Sequence, residues 1–198
     1  NDKGPEFFLH LQVLAQLHDS YILCSNEEGL VIVDQHAAQE RYHYEQLNEK
    51  LLVQCTNKQP LMVPIQLDVS SNVLAQYMTI NEKTAFFGIE FEPFGTDQLI
   101  LREIPLWFHD VDQKQFLQDL LDYFVENQDV DMAKLRKHMI ATMACHSSIR
   151  FNRPLSMQEM EQVILDLQKC KQPYHCPHGR PTVIMMSDGE LRKEFERG

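Results

Sequence analysis

A short apolar run, residues 30–33, ends at Asp34 and hands over at once to a stretch without Gly or Pro that reaches residue 52. No turn residue separates the two, so a buried strand must run straight into a long helix, and its sheet must accept that helix nearby. Residues 7–17 and 21–25 read as two further strands, joined to the junction strand through a turn at 26–29.

Beyond the helix, residues 57–60 break the chain and 61–67 look extended. Residues 70–87 read as a helix capped by Ser70 or Ser71, and 89–93 with 98–104 suggest a hairpin around 94–97. Phe116, Leu117, Leu120, Leu121 and Phe124 recur with a helical period within 113–126, and 131–146 forms another helix. Ser156 with Glu159, and Ser187 with Glu190, are capping boxes that open two more. Residues 182–186 are strand-like. The fold class is therefore α/β in the mixed, α+β sense.

Hydrophobic residues at 43% and charged residues at 24% describe a folded chain rather than a disordered one. No apolar run is long enough to span a bilayer, and residues 1–5 carry no secretory pattern, so a cytoplasmic location and no membrane partner are expected. Five widely spaced cysteines argue against a disulfide framework and for metal binding or catalysis in a reducing compartment. The net charge of −11 repels phosphate on average. A nucleic-acid partner would bind this chain weakly unless another protein delivers it.

The chemistry concentrates in three segments. At the junction, His36 and Glu40 leave the same helix face one turn apart, a spacing that suits two ligands of one metal or of neighbouring metals, and Asp34 stands at the strand end. Asp34 also reads simply as a helix N-cap. The small Ala37 and Ala38 let other backbone approach. Glu45 falls near the opposite side of the helix and is better explained by an i,i+4 pair with Arg41, whereas His43 shares the His36 face. The second segment, residues 172–181, is stiffened by three prolines and presents Cys176 and His178, both good ligands for zinc-like ions. Its Arg180 could brace a phosphate. The third is Cys145 at the end of a helix, which by itself reads rather as a small buried hydrophobe than as a ligand. Cys24, Cys55 and Cys170 lack ligand partners nearby and read as structural. If these segments meet in space, both chain ends form one subdomain and the middle is an insertion.

With these residues in hand, the chain resembles the C-terminal domains of endonuclease-type MutL mismatch-repair proteins of bacteria. Asp34-Gln35-His36-Ala37, Glu40 and Glu45 match that family's endonuclease motif; Ala144-Cys145 and 176–181 match its second and third. His146 departs from the usual Lys or Arg. The resemblance implies a sheet-bearing dimerisation subdomain from residues 1–56 and 131–198, with a smaller α/β regulatory subdomain, 57–130, inserted. It implies metal ligands His36, Glu40, Cys145, Cys176 and His178, with Asp34, Glu40 and Arg180 in catalysis. Structural or regulatory zinc and catalytic manganese or magnesium would support DNA nicking. Gln59, Leu61, Met62 and Pro64 look like the family's sliding-clamp-binding hexapeptide, and 195–197 like its Phe-x-Arg tail. The implied partners are a second copy, the clamp, DNA, and a MutS-type mismatch sensor through an ATPase half that this chain lacks. Two rivals remain: a non-enzymatic dimerisation and clamp-docking module with structural zinc, and a zinc hydrolase of a small substrate.

Overall fold

Asp34 ends strand β3 (Gly29–Asp34) and also caps helix α1 (Gln35–Leu51): its Oδ1 accepts from the Ala37 N–H at 3.0 Å. The computed structural model describes residues 4–197, and the strand-to-helix junction is present in it with no intervening loop.

The chain divides into two compact units, one formed by residues 1–46 and 150–198, the other by 47–149. In the first, β1 (Gln12–Leu17), β2 (Tyr21–Asn26), β3 and β7 (Val183–Ser187) form an antiparallel sheet in the order β1-β2-β3-β7. Registers pair Ile22 with Val33 and Cys24 with Val31, all four fully buried on one face. Helix α5 (Met157–Lys169) covers that face: Met160, Val163, Ile164 and Leu167 recur at helical spacing and join the same core. The opposite face carries the row Ala15, Leu23, Ile32 and Ile184, with Ile184 59% exposed. A short helix α6 (Asp188–Glu194) follows β7, and both predicted capping boxes are formed.

The strand expected from residue 7 does not begin there, and that expected at 89–93 is confined to Glu92–Phe94. Pro5–His10 is a 3-10 helix, with Pro at its start, rather than the beginning of a strand. The rings of Phe7 and Phe8 pack on Tyr174, from the far end of the chain, and this long-range aromatic cluster overrides the local β preference. A tight turn at His18 and Asp19, both at positive φ, joins β1 to β2.

The second unit holds an antiparallel sheet of β4 (Lys58–Asp68), β6 (Gln98–Pro105) and β5 (Glu92–Phe94), in that order, with β4 on an edge. The break expected at 57–60 lies inside β4 from Lys58 onward, because Lys58, Gln59 and Pro60 pair with β6. Helices α2 (Ser71–Thr84), α3 (Gln113–Glu126) and α4 (Met132–Cys145) complete this unit, with Phe108, Phe116, Leu117 and Leu120 fully buried. Helix α4, grouped by the sequence reading with the chain ends, packs here against α3. His146 Nε2 lies 2.5 Å from Asp119 Oδ2, and Ser147 bridges to Val111. Among the described residues no helix is long and apolar enough to cross a membrane.

Candidate metal centre

The Cys-x-His segment of the first unit is a closed hairpin. Its outer rung is the Thr182 N–H bonded to Tyr174 O at 3.0 Å, its inner one the Cys176 N–H bonded to Arg180 O at 2.8 Å. Gly179, at φ 83°, makes the tip turn that L-residues resist. The fully buried Thr182 adds a hydroxyl bond to Pro173 O. Helix α1 grips the loop at two further points. Arg41 Nε donates to His175 O at 2.6 Å, and the Glu45 carboxylate accepts the Lys171 and Gln172 N–H groups at 2.7 and 3.1 Å. Arg41 also pairs with Glu45 at 3.6 Å, as the i,i+4 reading expected. The spacing gave no sign of the hold that Glu45 has on the loop, which depends on backbone from 126 residues away.

Docked this way, the loop faces Glu40. Glu40, Cys176 and His178 each offer a ligand atom, all within 4.8 Å of one another. His178 Nδ1 lies 3.0 Å from Glu40 Oε1, and the Cys176 residue is 1% exposed. Glu40 Oε2 is buried without a hydrogen-bond partner; its nearest cation, Arg180 NH2, stands 3.7 Å away. A buried carboxylate oxygen left so is costly unless something cationic completes it. One sulfur, one imidazole nitrogen and one carboxylate is a donor set that fits a zinc-like divalent ion.

Arg180 itself is exposed, and its backbone N–H donates to Cys176 Sγ at 3.3 Å. Cys176 chiefly, then Glu40 and Asp34, hold its guanidinium more firmly charged than usual. Asp34 therefore lies within electrostatic reach of the same group. An open cavity of about 650 Å³ beside the loop is lined by Arg41, Lys171, His175 and Cys176 among others.

His36 is half-buried, one turn before Glu40, with its ring edge-on to Phe151 at 5.3 Å; His43 touches the same ring. Among the described residues the close cluster is formed by Glu40, Cys176 and His178, and His36 is not in it. Cys145 closes α4 in the other unit as an exposed free thiol. The histidine after it, where the family pattern has Lys or Arg, is engaged with Asp119. All five cysteines are free. Burial pushes Cys24 up to about 11 and Cys170 up to about 12, in keeping with inert structural thiols.

The hexapeptide is also locally distinctive. Between Pro60 and Ile65 the ladder with β6 is interrupted, so residues 61–64 leave the pairing. Met62 and Val63 stand almost wholly in solvent. At the tail, Phe195 is exposed beyond α6.

A family model described as the MutL C-terminal dimerisation domain matches residues 14–155. Among curated proteins, the chain is 39% identical to a DNA mismatch repair protein MutL of Exiguobacterium sibiricum, over 98% of this chain and 32% of that protein. It is 38% identical to the MutL of Anoxybacillus flavithermus over 94% of this chain and 31% of that protein, and 36% identical to that of Shouchella clausii over 94% and 29%. The chain thus spans about a third of the length of these relatives. The strand-to-helix junction and strands β2 and β3 lie within the matched region, and the chain belongs to the MutL C-terminal dimerisation domain family.

Proposed function

We propose that this chain is the metal-dependent DNA-nicking module of a bacterial mismatch-repair protein, acting as a homodimer and directed to DNA by a sliding clamp. The observation that carries this reading is the convergence of Glu40, Cys176 and His178 around a buried carboxylate oxygen that lacks a partner. His36 would join the ligand set. Zinc suits the sulfur and imidazole donors, and manganese or magnesium suits the carboxylates of Glu40 and Asp34. A divalent ion bound there supplies Lewis acidity and a water acidic enough to act as nucleophile at neutral pH.

The chain's own groups do the rest. Asp34 spends one oxygen on the Ala37 N–H and uses the other to orient or deprotonate the attacking water. Arg180, exposed and firmly charged, neutralises a phosphate oxygen. With a net charge of −11 the domain holds DNA weakly by itself. Gln59, Leu61, Met62 and Pro64, on an edge strand that leaves its ladder, dock in the clamp, which brings the DNA. The sheet face bearing Leu23, Ile32 and Ile184 meets a second copy of the chain. A MutS-type sensor acts through the remainder of the longer protein, in the cytoplasm.

The test is nicking of supercoiled plasmid with manganese, with and without clamp, for the unmodified chain and Asp34→Asn. Nicking that requires Asp34 and rises with clamp supports the reading, and substituting Met62 should abolish the rise while leaving metal content intact. Bound zinc with no nicking under any condition, clamp included, would instead make this a dimerisation module with structural zinc.

A further inference from the structure

Gln35, the residue between Asp34 and His36, is 0% exposed and every polar atom of its amide is engaged. Its Oε1 accepts from Gln16 Nε2 at 2.6 Å, and its Nε2 donates to the carbonyls of Phe151 and Arg153 at 2.5 and 3.1 Å. Gln16 Nε2 donates to Arg153 O as well, at 2.7 Å, and Gln16 Oε1 accepts the Leu155 N–H at 3.0 Å. Two amides thus moor residues 151–155, a segment with no helix or strand of its own, to β1 and to the first turn of α1. Gln16 can reach because β1 carries a register shift between Val13 and Ala15. After it, Gln16 pairs with buried Ile22 and so points to the inner face, where an uninterrupted alternation would have put it outside. Only an amide can accept from Gln16 and donate to two carbonyls at once; a carboxylate at position 35 could not donate.

The mooring ends in Phe151. Its ring stands edge-on to the His36 imidazole, with centroids 5.3 Å apart and planes at 88°, and it also meets the His43 ring at 5.3 Å. An imidazole on a half-exposed helix face has a broad second torsion, and a fixed neighbouring ring narrows it. We infer that Gln16 and Gln35 are positioning residues which, by holding Phe151 in place, orient the His36 ring for metal binding beside Glu40. The inference rests on the metal-centre reading proposed above. Neither glutamine touches the ion; both act through the loop.

The experiment uses the whole chain with Gln16→Met, Phe151→Leu and Phe151→Tyr, and two readouts. The first is the position of the His36 ring resonances in carbon-edited NMR of the metal-free protein. The second is zinc affinity, measured by competition with a chromogenic chelator. Gln16→Met removes the bonds of Gln16 to Gln35 Oε1, Arg153 O and the Leu155 N–H while those of Gln35 remain, so the loosened loop should displace or double the His36 ring signals. Zinc affinity should fall about tenfold in Gln16→Met and Phe151→Leu, the usual effect of losing an outer-shell contact. Phe151→Tyr, which keeps the ring edge, should bind as the unmodified chain does. Unmoved His36 signals in Gln16→Met, or zinc affinity within twofold of the unmodified chain in both disruptive variants, would overturn the inference. If the unmodified chain binds no zinc, the metal centre itself fails, and the His36 signals still decide whether the mooring exists.

Discussion

Two glutamates of one helix, Glu40 and Glu45, belong to the same sequence pattern but have different surroundings, and removing each should show it. Glu45→Ala deletes the acceptor of two backbone N–H groups, at 2.7 and 3.1 Å, and an ion pair with Arg41 at 3.6 Å whose side chains are 13% and 7% exposed. Hydrogen bonds to a charged acceptor contribute roughly 1.5–3 kcal/mol each where water is excluded, and about half that at a wet site. Both amides here lie in an exposed stretch, so two bonds and a largely buried pair sum to roughly 2–3 kcal/mol. In a chain of this size that lowers Tm by roughly 4–12 °C. Urea unfolding followed by far-UV circular dichroism gives the free energy, and amide exchange at Lys171 and Gln172 gives its location. Glu45→Gln, which keeps an oxygen and loses the charge, should cost about half as much. Zinc affinity should fall only modestly in Glu45→Ala, because the loop loosens but no donor is lost. A cost below about 0.5 kcal/mol with unchanged exchange at both amides would refute the bracing role.

The remaining predictions follow from single features. Glu40→Gln should abolish stoichiometric zinc in a metal assay while leaving the melting temperature of the metal-free chain within a few degrees, since its Oε2 has no hydrogen bond to lose. Asp19→Gly should stabilise the chain by about 1 kcal/mol in urea, because Asp19 holds a left-handed φ of 52° in the β1–β2 turn. Ile184→Asp on the outer sheet face should turn a dimer into a monomer in sedimentation equilibrium without changing the far-UV spectrum. Cys24 and Cys170 titrate higher when folded, at about 11 and 12 against an ordinary 9.0, so their stabilising effect is complete below pH 9 and is lost as the pH rises toward 12. The alkaline fall in stability should therefore be shallower in Cys24→Ala, compared by urea midpoints at pH 8 and pH 10.

What could be read without coordinates was local or periodic. The helix stripe Phe116 to Phe124, both capping boxes and the Asp34 cap need only neighbouring residues, and each is found where the pattern put it. Phe7–His10 failed because its conformation is set by Tyr174, more than 160 residues on. The candidate centre was legible as donors but not as a set: the spacing of His36 and Glu40 gives a shared face, yet it is Glu40 that meets Cys176 and His178 closely. The groups that hold the site, Glu45, Thr182, Gln16 and Gln35, are ordinary polar residues in sequence. Their roles come from backbone brought by the fold, and for Gln16 from a strand irregularity that no alternation pattern contains.

The hairpin that carries Cys176 and His178 is tied by its own backbone rungs, by Thr182 and by two side chains of α1, none of which involves an ion. Small metal-binding modules whose ligand loops collapse without the ion must refold each time they are emptied, and their affinity carries that ordering entropy. Here the backbone is tied with or without an occupant, so binding and release need move little beyond a few side chains. An ion held as proposed would then exchange on the timescale of ligand rotation rather than of folding. That would let the local supply of metal, instead of protein synthesis or turnover, decide how many copies are armed at a given moment.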